Sequence, residues 1–115
     1  MTPVPFETDT VHGGFSEARG TIRVDGDEVV IGVQVKTIGL INGTPQSFRF
    51  DVFDLDTVEC TRGLLRDRLT IRTRPMRHAT QVPGGSEGCL TVSVRRKYRP
   101  ALDALLDRLD LWVVE

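Results

Sequence analysis

The sequence predicts a mainly β domain of about seven short antiparallel strands followed by one C-terminal α-helix. Three observations carry this expectation. Apolar and polar residues alternate in nearly every segment of strand length, the period of a sheet with one buried face. Asp25-Gly26 and Asn42-Gly43 place turn residues between such segments. Leu102, Leu105, Leu106 and Leu109 recur at i, i+3, i+4 and i+7, which puts them on one helix face. One apolar face per strand implies one interior, hence a sandwich or barrel with the helix closing its open end.

Taken in order, residues 1–14 read as an extended arm outside a domain of residues 15–115. Pro3, Pro5 and Gly13-Gly14 leave this segment without periodicity. Strands begin near Ser16, where Ile22 and Val24 alternate with polar neighbours up to the Asp25-Gly26 turn. The return strand sends Val29, Ile31, Val33 and Val35 one way, and Val30, Gly32, Gln34 and Lys36 the other. Residues 40–46 read as a connection turned at Asn42-Gly43. Phe48, Phe50 and Val52 mark a third strand, with Phe53 facing out, and Val58 and Cys60 a fourth. Residues 63–67 form a turn, and Leu69 and Ile71 a fifth strand ended by Pro75. A weak sixth strand is expected over residues 77–82. After the loop of residues 83–88, Leu90, Val92 and Val94 form the seventh.

The helix is expected from Pro100 to Trp112, with a short extension at Val113-Val114. Proline suits the first helical turn, where its missing N–H leaves no bond unmade. Burying four leucines contributes roughly 6–12 kcal/mol as an upper bound. That matches the whole net stability of a typical domain, about 5–15 kcal/mol, so the helix belongs to the core.

These stretches resemble bacterial pleckstrin-homology-like (PH-like) domains. The resemblance rests on GTIRVDGDEVVIGV, FRFDVFDLDTVECTRG, RLTIRTR and CLTVSVRRKYRPALDALLDRL, which together span roughly residues 18–111. It implies a PH-like barrel of two near-orthogonal sheets capped by the helix. It also implies a non-enzymatic binding, scaffolding or self-assembly module. The first hairpin departs from the lipid-binding members, because Asp25, Asp27 and Glu28 stand where those use basic residues. No residue of that lipid site carries over.

A chain of 115 residues is long enough for one self-sufficient core. No apolar run approaches the roughly 18 residues of a membrane span, and the N-terminus lacks the pattern of a signal peptide. A cytoplasmic location is expected, with Cys60 and Cys89 as reduced, small apolar fillers. Catalytic patterns are absent from the sequence: His12 and His78 lack metal-ligand spacing, and Gly84-Gly85-Ser86 lacks the context of a nucleophile elbow. Asp51, Asp54, Asp56 and Glu59 cluster, but strand alternation and turn roles disperse them. No cofactor, metal or enzymatic activity is expected.

The net charge of −1 is segregated. Residues 1–60 carry four basic and ten acidic side chains, residues 61–100 ten basic and two acidic, and the last fifteen one basic and four acidic. An anion-binding face is therefore expected from Arg72, Arg74, Arg95, Arg96, Lys97 and Arg99, read as one patch for anionic headgroups or phosphorylated ligands. The competing expectation is neutralisation within the fold. Few aromatics argue against nucleic acid. The other expectation is protein binding or self-association through apolar residues at outward or turn positions: Leu40, Ile41, Leu64, Leu65 and Trp112, with Val30 and Phe53.

Overall fold

The computed structural model describes residues 2–11, 16–37 and 40–114. The chain runs through β1 (Val4–Val11), β2 (Ser16–Asp25), β3 (Glu28–Thr37) and β4 (Leu40–Asp51) as an antiparallel meander. A single 3₁₀ turn, Val52–Asp54, leads to β5 (Leu55–Thr61) and β6 (Arg66–Thr73). The short helix α1 (Met76–Thr80) precedes β7 (Cys89–Arg95), and a second 3₁₀ turn leads into α2 (Arg99–Leu109). The chain ends in β8 (Trp112–Val114).

All eight described strands belong to one open sheet in the order β4-β3-β2-β1-β7-β6-β5-β8. The first seven pair antiparallel, and β8 adds in parallel to β5. The resemblance implies two near-orthogonal sheets; the hydrogen bonding joins the strands into one, and among the described residues it does not close. Its two halves meet at a seam with a single registered pair, Glu7 with Ser93. Continuing that antiparallel register would bring Pro5 opposite Arg95. Proline has no N–H, so Pro5 can add no donor to a ladder there.

Residues Val4–Val11, read above as part of an arm, are a central strand. Val4, Phe6 and Thr8 alternate inward and are buried. The helix lies over the seam, against β1, β2 and β7, and also touches β8. Leu102, Leu105, Leu106 and Leu109 are all buried there, as their spacing predicts. Asp110 ends the helix in a left-handed conformation (φ 57°), its N–H donating to Leu106 O. This stop precedes the expected end at Trp112 and frees residues 112–114 to pair with β5.

Two further expectations are corrected. The weak sixth strand at residues 77–82 is α1 and its exit. Its buried residues, Ala79 and Val82, are spaced for a helix and not a strand. Thr73 holds α1 in place: its hydroxyl donates to Pro75 O and accepts from Ala79 N–H. The connection expected at residues 40–46 lies inside β4. The partner of Val33 is Gln46 and that of Val35 is Asn42, so the Asn42-Gly43 signal marks a bulge where residues 43–45 have no paired partner on β3. Val30 faces out, yet it is only 6% exposed. Its cross-strand neighbours on that face are Arg23 and Arg49, whose aliphatic stems can cover it.

Candidate interaction surface

The turn between β5 and β6 carries the most exposed large apolar side chains of the molecule among the described residues. Leu64 is 85% exposed and Leu65 82%. Such a pair on a loose loop would have little meaning, but the backbone beneath it is pinned. Arg96 N–H donates to Leu65 O at 3.1 Å. Arg99 Nη2 donates to Gly63 O at 2.9 Å, and Gly63 N–H donates to Asp67 Oδ1 at 3.2 Å. These bonds fix the backbone from which the two leucines project.

Asp67 anchors the arrangement. It is 1% exposed, at an inward position of β6 beside Leu69 and Ile71. Arg99 reaches it with Nε at 2.8 Å and Nη2 at 2.6 Å, and Arg62 Nη1 at 3.1 Å. Arg62 continues to Asp103 on the helix. Arg99 holds the Asp67 carboxyl down to about 2, against the opposing effect of burial, with Gly63 N–H and Arg62 adding to the depression. The nearby Cys60 thiol is pushed up, chiefly by burial.

The predicted basic residues separate into two groups. Arg66 pairs with Arg95 and Arg72 with Cys89 on the β6–β7 ladder. Six residue steps of strand, about 20 Å, therefore separate the two ends. Arg72 and Arg74 are exposed at one end. Arg95, Arg96, Lys97 and Arg99 gather at the other, where internal partners engage them. Arg95 meets Glu7 at 2.9 Å, Arg99 meets Asp67, and Arg96 Nη1 reaches Leu64 O at 3.4 Å. Lys97 Nζ stands 5.1 Å from the centre of the Tyr98 ring. The segregated charge is thus partly neutralised within the fold.

Of the apolar candidates, Leu64 and Leu65 are exposed, as are Phe53 and Val113. The side chains of Leu40, Ile41 and Trp112 lie outside the described residues. His12 also lies outside them. His78 is held by Asp54 at 3.0 Å and stacks on Phe50, with ring centres 5.3 Å apart. Among the described residues no group of three or more His, Cys, Asp or Glu could hold a metal. Cys60 and Cys89 are both free, and no described helix is long and apolar enough to cross a membrane.

Sequence reasoning missed Asp67, Glu7, Arg62 and Arg66. Asp67 had a signal: an acid at inward parity in a strand crowded with arginines needs a buried partner. Glu7 had none until β1 was recognised as a strand. Compared with protein-family models, curated proteins and solved structures, the chain matches none of them.

Proposed function

We propose that this chain is a non-enzymatic interaction module, PH-like in plan, that self-associates through the β5–β6 turn. The observation that carries the reading is the Leu64-Leu65 pair, exposed on a turn that Asp67, Arg96 and Arg99 hold rigid. Ordering such a turn on binding costs little entropy, because it is already ordered. Two leucines alone fall short of the roughly 1,200 Å² that a stable interface buries. The adjoining sheet edge extends the surface. Strand β5 leads into the turn and carries β8 along its other side, with Val113 exposed. A short edge strand next to an apolar tip suits pairing with a second copy.

The PH-like plan is supported by a four-strand meander, a three-strand meander and then the helix, in that order. A reducing cytoplasmic setting fits two free cysteines.

Solution mass, measured by size-exclusion chromatography with light scattering at low and high salt, tests the proposal. The expected result is an oligomer that persists at high salt and becomes a monomer in the Leu64→Ser, Leu65→Ser double variant. The melting of that variant should shift little, because both sites are exposed and such substitutions usually stay within about 0.5 kcal/mol. A wild-type chain that stays monomeric at high concentration would overturn self-association.

A further inference from the structure

We infer that this chain associates head to tail: the Leu64-Leu65 turn of one copy seats on the Phe53 turn of the next, with Arg96 and Lys97 facing Asp27 and Asp51 across the contact. The inference rests on the self-association proposed above and adds to it the receiving surface and the polarity of the assembly. Leu64, Leu65 and Phe53 are the three most exposed large apolar side chains among the described residues. Strand β5 runs between them, from Leu55 just after the Phe53 turn to Thr61 just before the leucine turn. A strand of this length spans about 20 Å, so the two apolar tips of one copy stand apart and each is open to a second copy.

The Phe53 turn is pinned as the leucine turn is. Asp51 Oδ1 accepts the Phe53 N–H at 2.9 Å, and Val52 N–H donates to Asp27 O at 2.8 Å. Arg74 N–H donates to Asp54 O at 2.9 Å, and His78 Nε2 meets Asp54 Oδ2 at 3.0 Å. The bond from Val52 to Asp27 sets the acidic β2–β3 hairpin beside the turn that carries the phenyl ring. Two tips that are already ordered lose little entropy when they meet.

The unpaired charges beside the two tips are opposite. At the Phe53 turn, Arg23 and Arg49 engage Asp25 and Glu28. Asp27, Asp51 and Asp56 are exposed and meet no cation among the described residues. Arg72, Arg74 and Arg77 are exposed at this end too, but on β6 and α1, whereas the acids lie on the hairpin and the β4–β5 connection. At the leucine turn, Arg62 and Arg99 engage Asp67, and Arg66 and Arg95 engage Glu7. The Arg96 guanidinium reaches the Leu64 carbonyl and the Lys97 ammonium lies against the Tyr98 ring. Neither meets a carboxylate among the described residues. A two-fold contact between leucine turns would set Arg96 and Lys97 against their own copies, a like-charge juxtaposition that opposes binding. Seating the leucines on the Phe53 turn sets these cations against Asp27 and Asp51. A contact between two different patches is heterologous and repeats into a ring or an open chain.

Two full-chain variants that each keep one tip test the polarity, read by size-exclusion chromatography with light scattering. Phe53→Ser keeps the leucines and loses the receiving surface; the Leu64→Ser, Leu65→Ser double variant does the reverse. Each alone is expected to be a monomer, and their equimolar mixture to form a 1:1 dimer that grows no further. Melting curves of each variant establish that it is folded. Within the mixture, Lys97→Glu on the Phe53→Ser chain, or Asp27→Lys on the double-serine chain, should weaken the dimer several-fold. A Phe53→Ser chain that assembles as wild type does would overturn the head-to-tail contact and leave self-association through the leucines standing. A wild-type chain that stays monomeric would overturn both. The polarity is overturned equally by a mixture that stays monomeric, or by charge reversals that leave the dimer unchanged.

Discussion

Asp67 and Arg99 lie 32 residues apart in the chain and are joined by two hydrogen bonds, of 2.8 and 2.6 Å. The pair ties the β5–β6 turn to the first turn of α2. Arg62 completes the connection by bridging Asp67 and Asp103. The same carboxylate accepts the Gly63 N–H, so one buried acid fixes both the helix and the leucine-bearing turn.

Acid should therefore loosen the fold in a defined window. The Asp67 carboxyl lies at about 2 in the folded chain, against an ordinary 3.8. A carboxylate depressed by folding adds stability above its unfolded pKa and loses that contribution as the pH falls through the folded value. A shift of this size corresponds to about 2 kcal/mol, present near neutrality and lost as the pH drops from about 4 through 2. Urea unfolding at pH 6 and pH 2 measures it. Asp67→Asn should show a smaller drop over the same range, and an equal drop would place the acid sensitivity in other groups.

At neutral pH, Asp67→Asn should destabilise the chain by about 2–3 kcal/mol. This is less than the roughly 3–5 kcal/mol for breaking a fully buried pair, because Arg62 and Arg99 keep about a quarter of their side chains in water. The leucine turn should loosen with it. Hydrogen exchange at the Gly63 amide, which Asp67 holds, should accelerate more than exchange in β2 and β3.

His78 connects α1 to the rest of the sheet through Phe50 on β4 and Asp54 in the 3₁₀ turn. Its role in the fold predicts a stability effect. His78→Ala should cost about 1–2 kcal/mol, from the lost ring stacking and hydrogen bond. A double-mutant cycle with Asp54→Ala should return a coupling of about 0.5–1.5 kcal/mol. A coupling of zero would show that the 3.0 Å contact contributes nothing in solution.

Two neighbouring glycines should respond in opposite ways. A Cβ on Gly20 would stand 1.9 Å from the backbone oxygen of Gly32, which cannot move aside without disturbing the β2–β3 ladder. A Cβ on Gly32 would meet nothing nearer than Thr21 Oγ1 at 3.7 Å. Gly20→Ala should therefore lose about 1–3 kcal/mol by overpacking, and Gly32→Ala should change stability little. Thermal melts of the two variants side by side decide it.

Local periodicity made the leucine face of α2, the Asp25-Gly26 hairpin and the inward residues of β2, β3 and β7 legible in the sequence. What could not be read depended on register or on partners distant in sequence. Parity correctly sends Val30 outward, but its burial depends on which residues flank it on β2 and β4. Arg72 and Arg95 both read as outward residues of adjacent strands. Only the pairing of Arg66 with Arg95 places them at opposite ends of the ladder. Asn42-Gly43 has the chemistry of a turn and serves as a bulge, because β4 continues past it to pair with β3. The exposure of Leu64 and Leu65 at a turn tip was readable; the polar network that fixes their turn was not, since Arg96 and Arg99 are supplied from about 30 residues away.

The first strand gives the sharpest test of the fold. Pro5 within it, Pro3 just before it and a threonine, Thr8, at an inward position disguise β1 as an arm, yet it joins the two halves of the sheet under the helix. Phe6 is buried and belongs to the common core. Phe6→Ala should cost about 3–5 kcal/mol, a large part of a typical domain stability of about 5–15 kcal/mol. Deleting residues 1–9 removes Val4, Phe6 and Thr8 together and leaves β2 and β7 without the strand between them. That variant should lose its cooperative unfolding transition and expose the leucines of α2 to hydrophobic dyes. If it instead melts within a few degrees of wild type, the halves are held by the helix alone and β1 is dispensable to the fold.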